Sequence, residues 1–445
     1  PLALGPLKGR ASLGTDLSDD HPISFVYDAA LAMRRDELAD PSVLPPVVRL
    51  DETRQLQCTT CHDPHEDRYG AFLVLDNRGS RLCIACHQIR GWGGSAHATS
   101  PATWKGSGEN PWSGTSYNTV AENGCLNCHR SHAAGQPVRL LRWAKEEENC
   151  FVCHSGRVAA KDLEREFRKV SAHPVERTDW VHDPKEDPAT MKRHVTCVDC
   201  HNVHAVRAGP RTPPLVPPSM RGVAGVNLAG GKVAEANFEY EVCLKCHGVT
   251  EEPSPRVIRQ DGTGNIRLKI EPSNPSFHPL AAVGRNTGIA GLEPGYTASS
   301  LIACTDCHNS DEAAISGPAI PRGPHGSRYP PLLERDYPVA DPSLESFQSY
   351  ALCYKCHNRT SLLGDQSGFP HRRHVVDGRA SCVVCHDPHG SRQSPALINF
   401  ALRFRTGEDL VKPSGSGRLE FRSLGRGRGE CFLSCHRVEH APKRY

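Results

Sequence analysis

Apolar positions in this chain hold a helical or strand period only in short stretches. Two read as amphipathic helices. One spans Asp28–Leu38, with Asp28 placed to cap it and Pro41 beyond its end. The other, Ala159–Val170, sets Leu163, Phe167 and Val170 at helical spacing. Pro210–Pro218 is too rich in proline for a helix and predicts extended backbone. In Arg256–Ile270, Asp261-Gly262-Thr263-Gly264 separates two apolar/polar runs, which predicts a β-hairpin. Leu402–Arg405 and Arg418–Arg422 predict a second hairpin. No segment approaches the roughly 20 apolar residues of a membrane-spanning helix. With 36 prolines and 39 glycines in 445 residues, the polypeptide has a weak recipe for a core of its own.

What recurs is a motif. Cys-x-x-Cys-His occurs at Cys58–His62, Cys83–His87, Cys125–His129, Cys150–His154, Cys197–His201, Cys243–His247, Cys304–His308, Cys353–His357 and Cys382–His386. A tenth site, Cys431-Phe432-Leu433-Ser434-Cys435-His436, carries one extra residue between its cysteines. The thiol positions are therefore Cys58, Cys61, Cys83, Cys86, Cys125, Cys128, Cys150, Cys153, Cys197, Cys200, Cys243, Cys246, Cys304, Cys307, Cys353, Cys356, Cys382, Cys385, Cys431 and Cys435. They account for all 20 cysteines. Zinc ribbons and structural disulfides need no histidine at this fixed place. The signature is that of covalent c-type haem attachment: two thioether bonds, and the adjacent histidine as proximal iron ligand. Ten haem c groups are expected, with His62, His87, His129, His154, His201, His247, His308, His357, His386 and His436 on the proximal side.

The motifs fall into five tandem two-haem units, spanning 1–90, 91–160, 161–255, 256–365 and 366–445. Each unit has an upstream histidine, a first motif, a second histidine and a second motif. His389, three residues after His386, sits on the proximal side of its own haem, so its simplest use is as distal ligand to a neighbouring one. In the fourth unit the corresponding position is Asp311. Pro324-His325-Gly326-Ser327-Arg328 matches Pro388-His389-Gly390-Ser391-Arg392 and supplies the ligand later. The distal set is thus His21, His65, His97, His132, His173, His204, His278, His325, His374 and His389. His182, His194, His371 and His440 are left over, with His371 a close competitor of His374 and His182 or His194 competing with His173. Methionine is the other distal ligand to consider, but Met33, Met191 and Met220 occupy no repeated position.

The expected fold is mostly irregular coil with short α-helices and a few β-hairpins, wrapped around a chain of ten haems, with little conventional hydrophobic core. The five units would form one continuous haem-cored body. A formal charge of +3 with mixed signs gives no nucleic-acid signature. Haem c is attached outside the cytoplasmic membrane, so the chain is expected to be exported: extracellular or at the cell surface, otherwise periplasmic. With Pro1 first and every cysteine committed, a mature chain without a lipid anchor is expected.

At these motifs the sequence resembles the doubled Cys-x-x-Cys-His multihaem cytochromes, over the span from about His21 to His436. The resemblance implies electron transfer without catalysis. It extends to secreted cytochromes that polymerise into extracellular filaments (nanowires), and so implies a homopolymer with inter-subunit haem contact. His21, on an N-terminal arm, would be the ligand that reaches the neighbouring subunit. Other cytochromes or extracellular acceptors would be the remaining partners. The alternative is a periplasmic or porin-associated carrier. A multihaem oxidoreductase would need an open iron position, which ten histidine-bearing motifs with spare distal histidines do not predict.

Overall fold

A computed structural model describes residues 12–177, 186–187, 190, 194–249, 256–286, 289, 291–404, 407, 409–425 and 427–445. His182 and Met191 lie outside the described residues. The chain is mostly coil, and its longest helix, Glu239–His247, has nine residues. Most strands are two-residue pairings. The exception is a four-stranded antiparallel sheet at the C-terminus, in which Arg428–Cys435 is flanked by Val411–Lys412 and Glu420–Gly425 on one edge and Val438–Arg444 on the other.

The expected helices are present but shorter. The first is Ala29–Arg34, and the Asp28 carboxylate accepts the Leu31 N–H at 2.8 Å. The second is Leu163–Phe167, started by Asp162 accepting the Arg165 N–H at 3.0 Å. It stops before Ser171–Ala172, which pair with Gly326–Ser327. Pro210–Pro217 is non-helical, as expected, up to a short turn at Pro218–Met220.

Both hairpin expectations need correction. Val257–Arg259 is a strand, but its partner is Ala401–Phe404, and Ile266–Lys269 is helical. The Asp261 turn is spent on distant groups: its N–H donates to Asn399 Oδ1 and its carboxylate accepts from Arg392. Glu420–Gly425 pairs with Arg428–Cys435 rather than with residues near Leu402. Arg405 lies outside the described residues.

Among the described residues, buried apolar side chains gather in six small clusters rather than one core. The first contains Val226, Tyr240, Leu244, Ile270 and Leu280. Each is too small to hold 445 residues by apolar burial alone.

The two Pro-His-Gly-Ser-Arg segments are structurally equivalent. Gly326–Ser327 pairs with Ser171–Ala172 just before His173, and Gly390–Ser391 pairs with Ser276–Phe277 just before His278. Both glycines are dictated by close approach. A Cβ on Gly326 would lie 1.8 Å from the Glu166 carbonyl oxygen, and one on Gly390 2.0 Å from that of Lys269.

Candidate metal-binding sites

The nine regular motifs are each wound into a single helical turn. In eight, the histidine N–H donates to the carbonyl of the first cysteine at 2.9–3.0 Å. The ninth, Cys243–His247, ends the helix Glu239–His247. Acidic side chains start two of these turns: Asp199 accepts from the Thr196 N–H and Asp306 from the Ala303 N–H, both at 2.7 Å. Three intervening positions between turn start and histidine bring both thiols and the imidazole to one small patch.

The histidines are oriented through Nδ1. His62, His129, His201, His308 and His386 donate to the carbonyls of Ala71, Arg139, Ser219, Pro331 and Ala396 at 2.7–3.0 Å. His97, His173 and His374 donate to Val203, Pro324 and Pro370 at 2.8–2.9 Å. His278 bonds Pro388, and His132 bonds the Asp20 carboxylate at 2.9 Å. An Nδ1–H held this way leaves the Nε2 lone pair free for a metal. Burial first, and the opposed imidazole second, push His154, His204, His308 and His357 down to about 4. These rings are neutral at pH 7.

The imidazoles then face one another in pairs. Ring centres are 6.2 Å apart for His87 and His21, 6.1 Å for His62 and His132, and 6.2 Å for His154 and His97. They are 6.3 Å apart for His129 and His204, 6.4 Å for His247 and His173, and 6.1 Å for His201 and His325. His357 and His278 stand at 6.3 Å, and His308 and His389 at 6.2 Å. A five-membered ring with bonds of about 1.35 Å has its nitrogen about 1.15 Å from the centre, and a metal–imidazole bond is about 2.0 Å. Two imidazoles coordinating one ion head-on therefore have centres about 6.3 Å apart.

The pairing has a regular register. The second histidine of each unit (His132, His204, His325, His389) faces the first motif of the preceding unit. The upstream histidine (His21, His97, His173, His278) faces the second motif of its own unit. His325 occupies the same place in this register as His389, despite its displacement in sequence. His21 is engaged with His87 inside the chain, which corrects its expected role as a ligand to a neighbouring subunit. His65, the second histidine of the first unit, is 90% exposed and 3.1 Å from Asp63. It faces no imidazole among the described residues.

At the C-terminal end the arrangement changes. His371 and His374 are not alternatives. Burial, then the neighbouring His371 ring, push His386 down to about 4, while His374 faces His440 with ring centres 6.3 Å apart. His436 faces no imidazole among the described residues; its ring bonds Asp341 and the Gly378 carbonyl. His194 is buried beside Glu186 at 3.0 Å.

Thiol contacts give the order of the sites. Cys83 lies beside Cys125, Cys150 beside Cys197, Cys243 beside Cys304 and Cys353 beside Cys382. Within units, burial and then the neighbouring thiol raise Cys86 beside Cys61 to about 11 and Cys128 beside Cys153 to about 12. Burial and then Cys435 raise Cys385 to about 12. Each site thus adjoins the next in chain order.

Several structural residues escaped the motif reading. Lys245 and Lys355, each within a second motif, donate to the carbonyls of Asp199 and Asp306 in the first motif of the same unit. The shared Cys-x-Lys-Cys-His spelling was the available signal. Asp387 is buried with Lys269 at 2.8 Å and Arg259 at 3.6 Å. Asp311, standing where a histidine was expected, holds Lys169 at 2.9 Å and Arg328 at 2.8 Å.

Two thiols and, at eight of the nine regular sites, two opposed imidazoles at metal-length spacing fit a covalently attached haem. The family described as doubled CXXCH motif matches residues 52–89 and 118–159. The multihaem cytochrome MtrA of Shewanella baltica (strain OS185) is 27% identical over 160 residues, covering 34% of this chain and 36% of that protein. The chain spans about a third of the length of that curated relative. No solved structure matches. No helix among the described residues is long and apolar enough to cross a membrane.

Proposed function

We propose that the chain is a multihaem c-type cytochrome that conducts electrons by hopping along a row of ten haems, a reading supported by the doubled CXXCH match and the likeness to MtrA. The observation that carries this reading is the succession of opposed imidazole pairs at 6.1–6.4 Å at the first eight sites, with His374 and His440 facing each other at 6.3 Å near the C-terminal motif. Each haem supplies a one-electron iron couple, whose potential two histidine ligands keep low. The polypeptide positions and buries. Helical turns present the thiols and one imidazole; the opposite imidazole comes from the next unit's loop at a first motif and from the same unit's upstream histidine at a second motif. The row is therefore locked between units, and electrons can pass without domain motion. At the eight paired sites the two facing imidazoles would hold the iron from both sides and leave no place for a substrate, and no residue is assigned a catalytic role.

The filament form is supported by His65. It occupies the clasp position of the first unit, is exposed, and faces no imidazole among the described residues. In this reading copies assemble end to end outside the cell, with haems meeting across the joint. A single-molecule periplasmic or conduit role is supported by a different observation: the imidazole pairs close within one chain. Negative-stain electron microscopy of protein sheared from cells separates the two. Filaments of regular repeat that disappear in His65→Ala support the polymer, and isolated particles at all concentrations support the single-molecule role.

A further inference from the structure

We propose that the axial pair at the C-terminal site is His374 and His440, and that His436, the histidine of the motif itself, is withdrawn from ligation as a structural partner of Asp341. The proposal rests on the reading of Cys431 and Cys435 as a haem-attachment pair.

The departure begins with the extra residue. The other nine motifs close a helical turn in which the histidine N–H reaches the first cysteine carbonyl. With three residues between its cysteines the tenth does not close that turn and runs as the strand Arg428–Cys435. The chain reverses at His436 and Arg437, whose φ values of 49° and 63° are those of a two-residue primed hairpin turn. Antiparallel pairing then sets Cys435 opposite Val438, and Leu433 opposite His440. Side chains two apart on a strand, and those directly opposite across a ladder, share a face. His440 therefore emerges on the face that carries the Cys435 thiol. The turn instead sends His436 elsewhere.

Both nitrogens of His436 are taken. One bonds Asp341 Oδ2 and the other lies 3.1 Å from the Gly378 carbonyl. The Asp341 side chain is 1% exposed and also accepts the Ser381 N–H at 2.9 Å. Breaking this pair would leave a buried carboxylate without its imidazole partner.

His374 is held ready on the opposite side. It lies in the helical turn Arg373–Asp377, its Nδ1 donates to the Pro370 carbonyl at 2.9 Å, and Phe369 stacks on its ring at 4.7 Å. Tyr445 meets Phe369 edge-on at 4.8 Å, so the chain terminus braces this ring. The 6.3 Å between His374 and His440 falls within the range of the other pairs.

Methionine substitution in the haem-loaded full chain tests the assignment. His440→Met should give one histidine–methionine haem per chain, seen as a new near-infrared magnetic circular dichroism band and one raised potential. His436→Met should keep an all-bis-histidine spectrum. A bis-histidine spectrum in His440→Met, or a histidine–methionine band in His436→Met, overturns the proposal. If His440→Met does not accumulate, the His436→Met spectrum decides alone. Mass mapping of the peptide holding Cys431 and Cys435 should find a porphyrin. A bare peptide there overturns the proposal, whereas haem on the other nine motif peptides leaves the electron-transfer reading standing.

Discussion

Gly390→Ala joins the fold to the metal sites. Gly390 follows His389 and pairs with Phe277, just ahead of His278. A methyl at this position would lie 2.0 Å from the Lys269 carbonyl oxygen and 3.1 Å from that of Ser276. Ordinary contact begins at 3.4 Å, so one backbone must yield by about 1.4 Å. Both obstacles are backbone atoms, and Lys269 is anchored through its buried ion pair with Asp387. Overpacking of this kind costs about 1–3 kcal/mol. The displacement also exceeds the 0.3 Å spread of ring spacings, 6.1 to 6.4 Å, seen among the paired imidazoles. His389 should therefore lose its place opposite His308. The assay is electron paramagnetic resonance of the oxidised protein, with a denaturant titration beside it. Gly390→Ala should show one high-spin ferric haem and a lowered denaturation midpoint. Gly93→Ala, where nothing lies within 4 Å of the added methyl, should show neither. A wholly low-spin Gly390→Ala chain of unchanged stability would refute the reasoning.

Other expectations follow from the same geometry. Asp387→Ala strands the buried Lys269 and Arg259 charges and should cost about 3–5 kcal/mol in a urea titration, and an unchanged midpoint would count against this. An imidazole that holds iron must be unprotonated, so protons compete with iron for the paired histidines: the haem-loaded chain should lose stability as the pH falls below the ordinary histidine range near 6.5, and a denaturation midpoint that rises on acidification would contradict this. His201–His325 and His308–His389 have nearly parallel rings, at 17° and 4°, while His21–His87 and His97–His154 are crossed at 76° and 84°. Oxidised protein should accordingly show two families of low-spin paramagnetic signals, and a single family would count against the observed ring orientations. Preventing haem attachment should leave the chain unfolded by circular dichroism, because its apolar clusters are small; a cooperative thermal transition without haem would show otherwise.

The attachment turns were legible because their chemistry is local: five residues fix two thiols and an imidazole. The equivalence of His325 and His389 was legible from the shared Pro-His-Gly-Ser-Arg spelling, and the paired strands before His173 and His278 give it a structural basis. Partners distant in sequence were not legible. Val257–Arg259 carries a strand pattern, but nothing in it names Ala401–Phe404 as its partner. The turn residues of Asp261–Gly264 point to a hairpin, and Asn399 and Arg392 claim Asp261 instead. His440 could not be told from a surface histidine, and nothing in sequence matched it to His374, since a helical turn and a sheet bring the two together. His65 illustrates the converse: it has the spelling of a clasp, yet it faces no imidazole among the described residues.

The most direct test of the account is an electron cryo-microscopy reconstruction of the haem-loaded protein at a resolution that shows porphyrins. The account predicts ten porphyrins, one between each imidazole pair, following one another in contact from the His62 site to the C-terminal site. A break in that row, or a porphyrin lying outside the pairs, would contradict it.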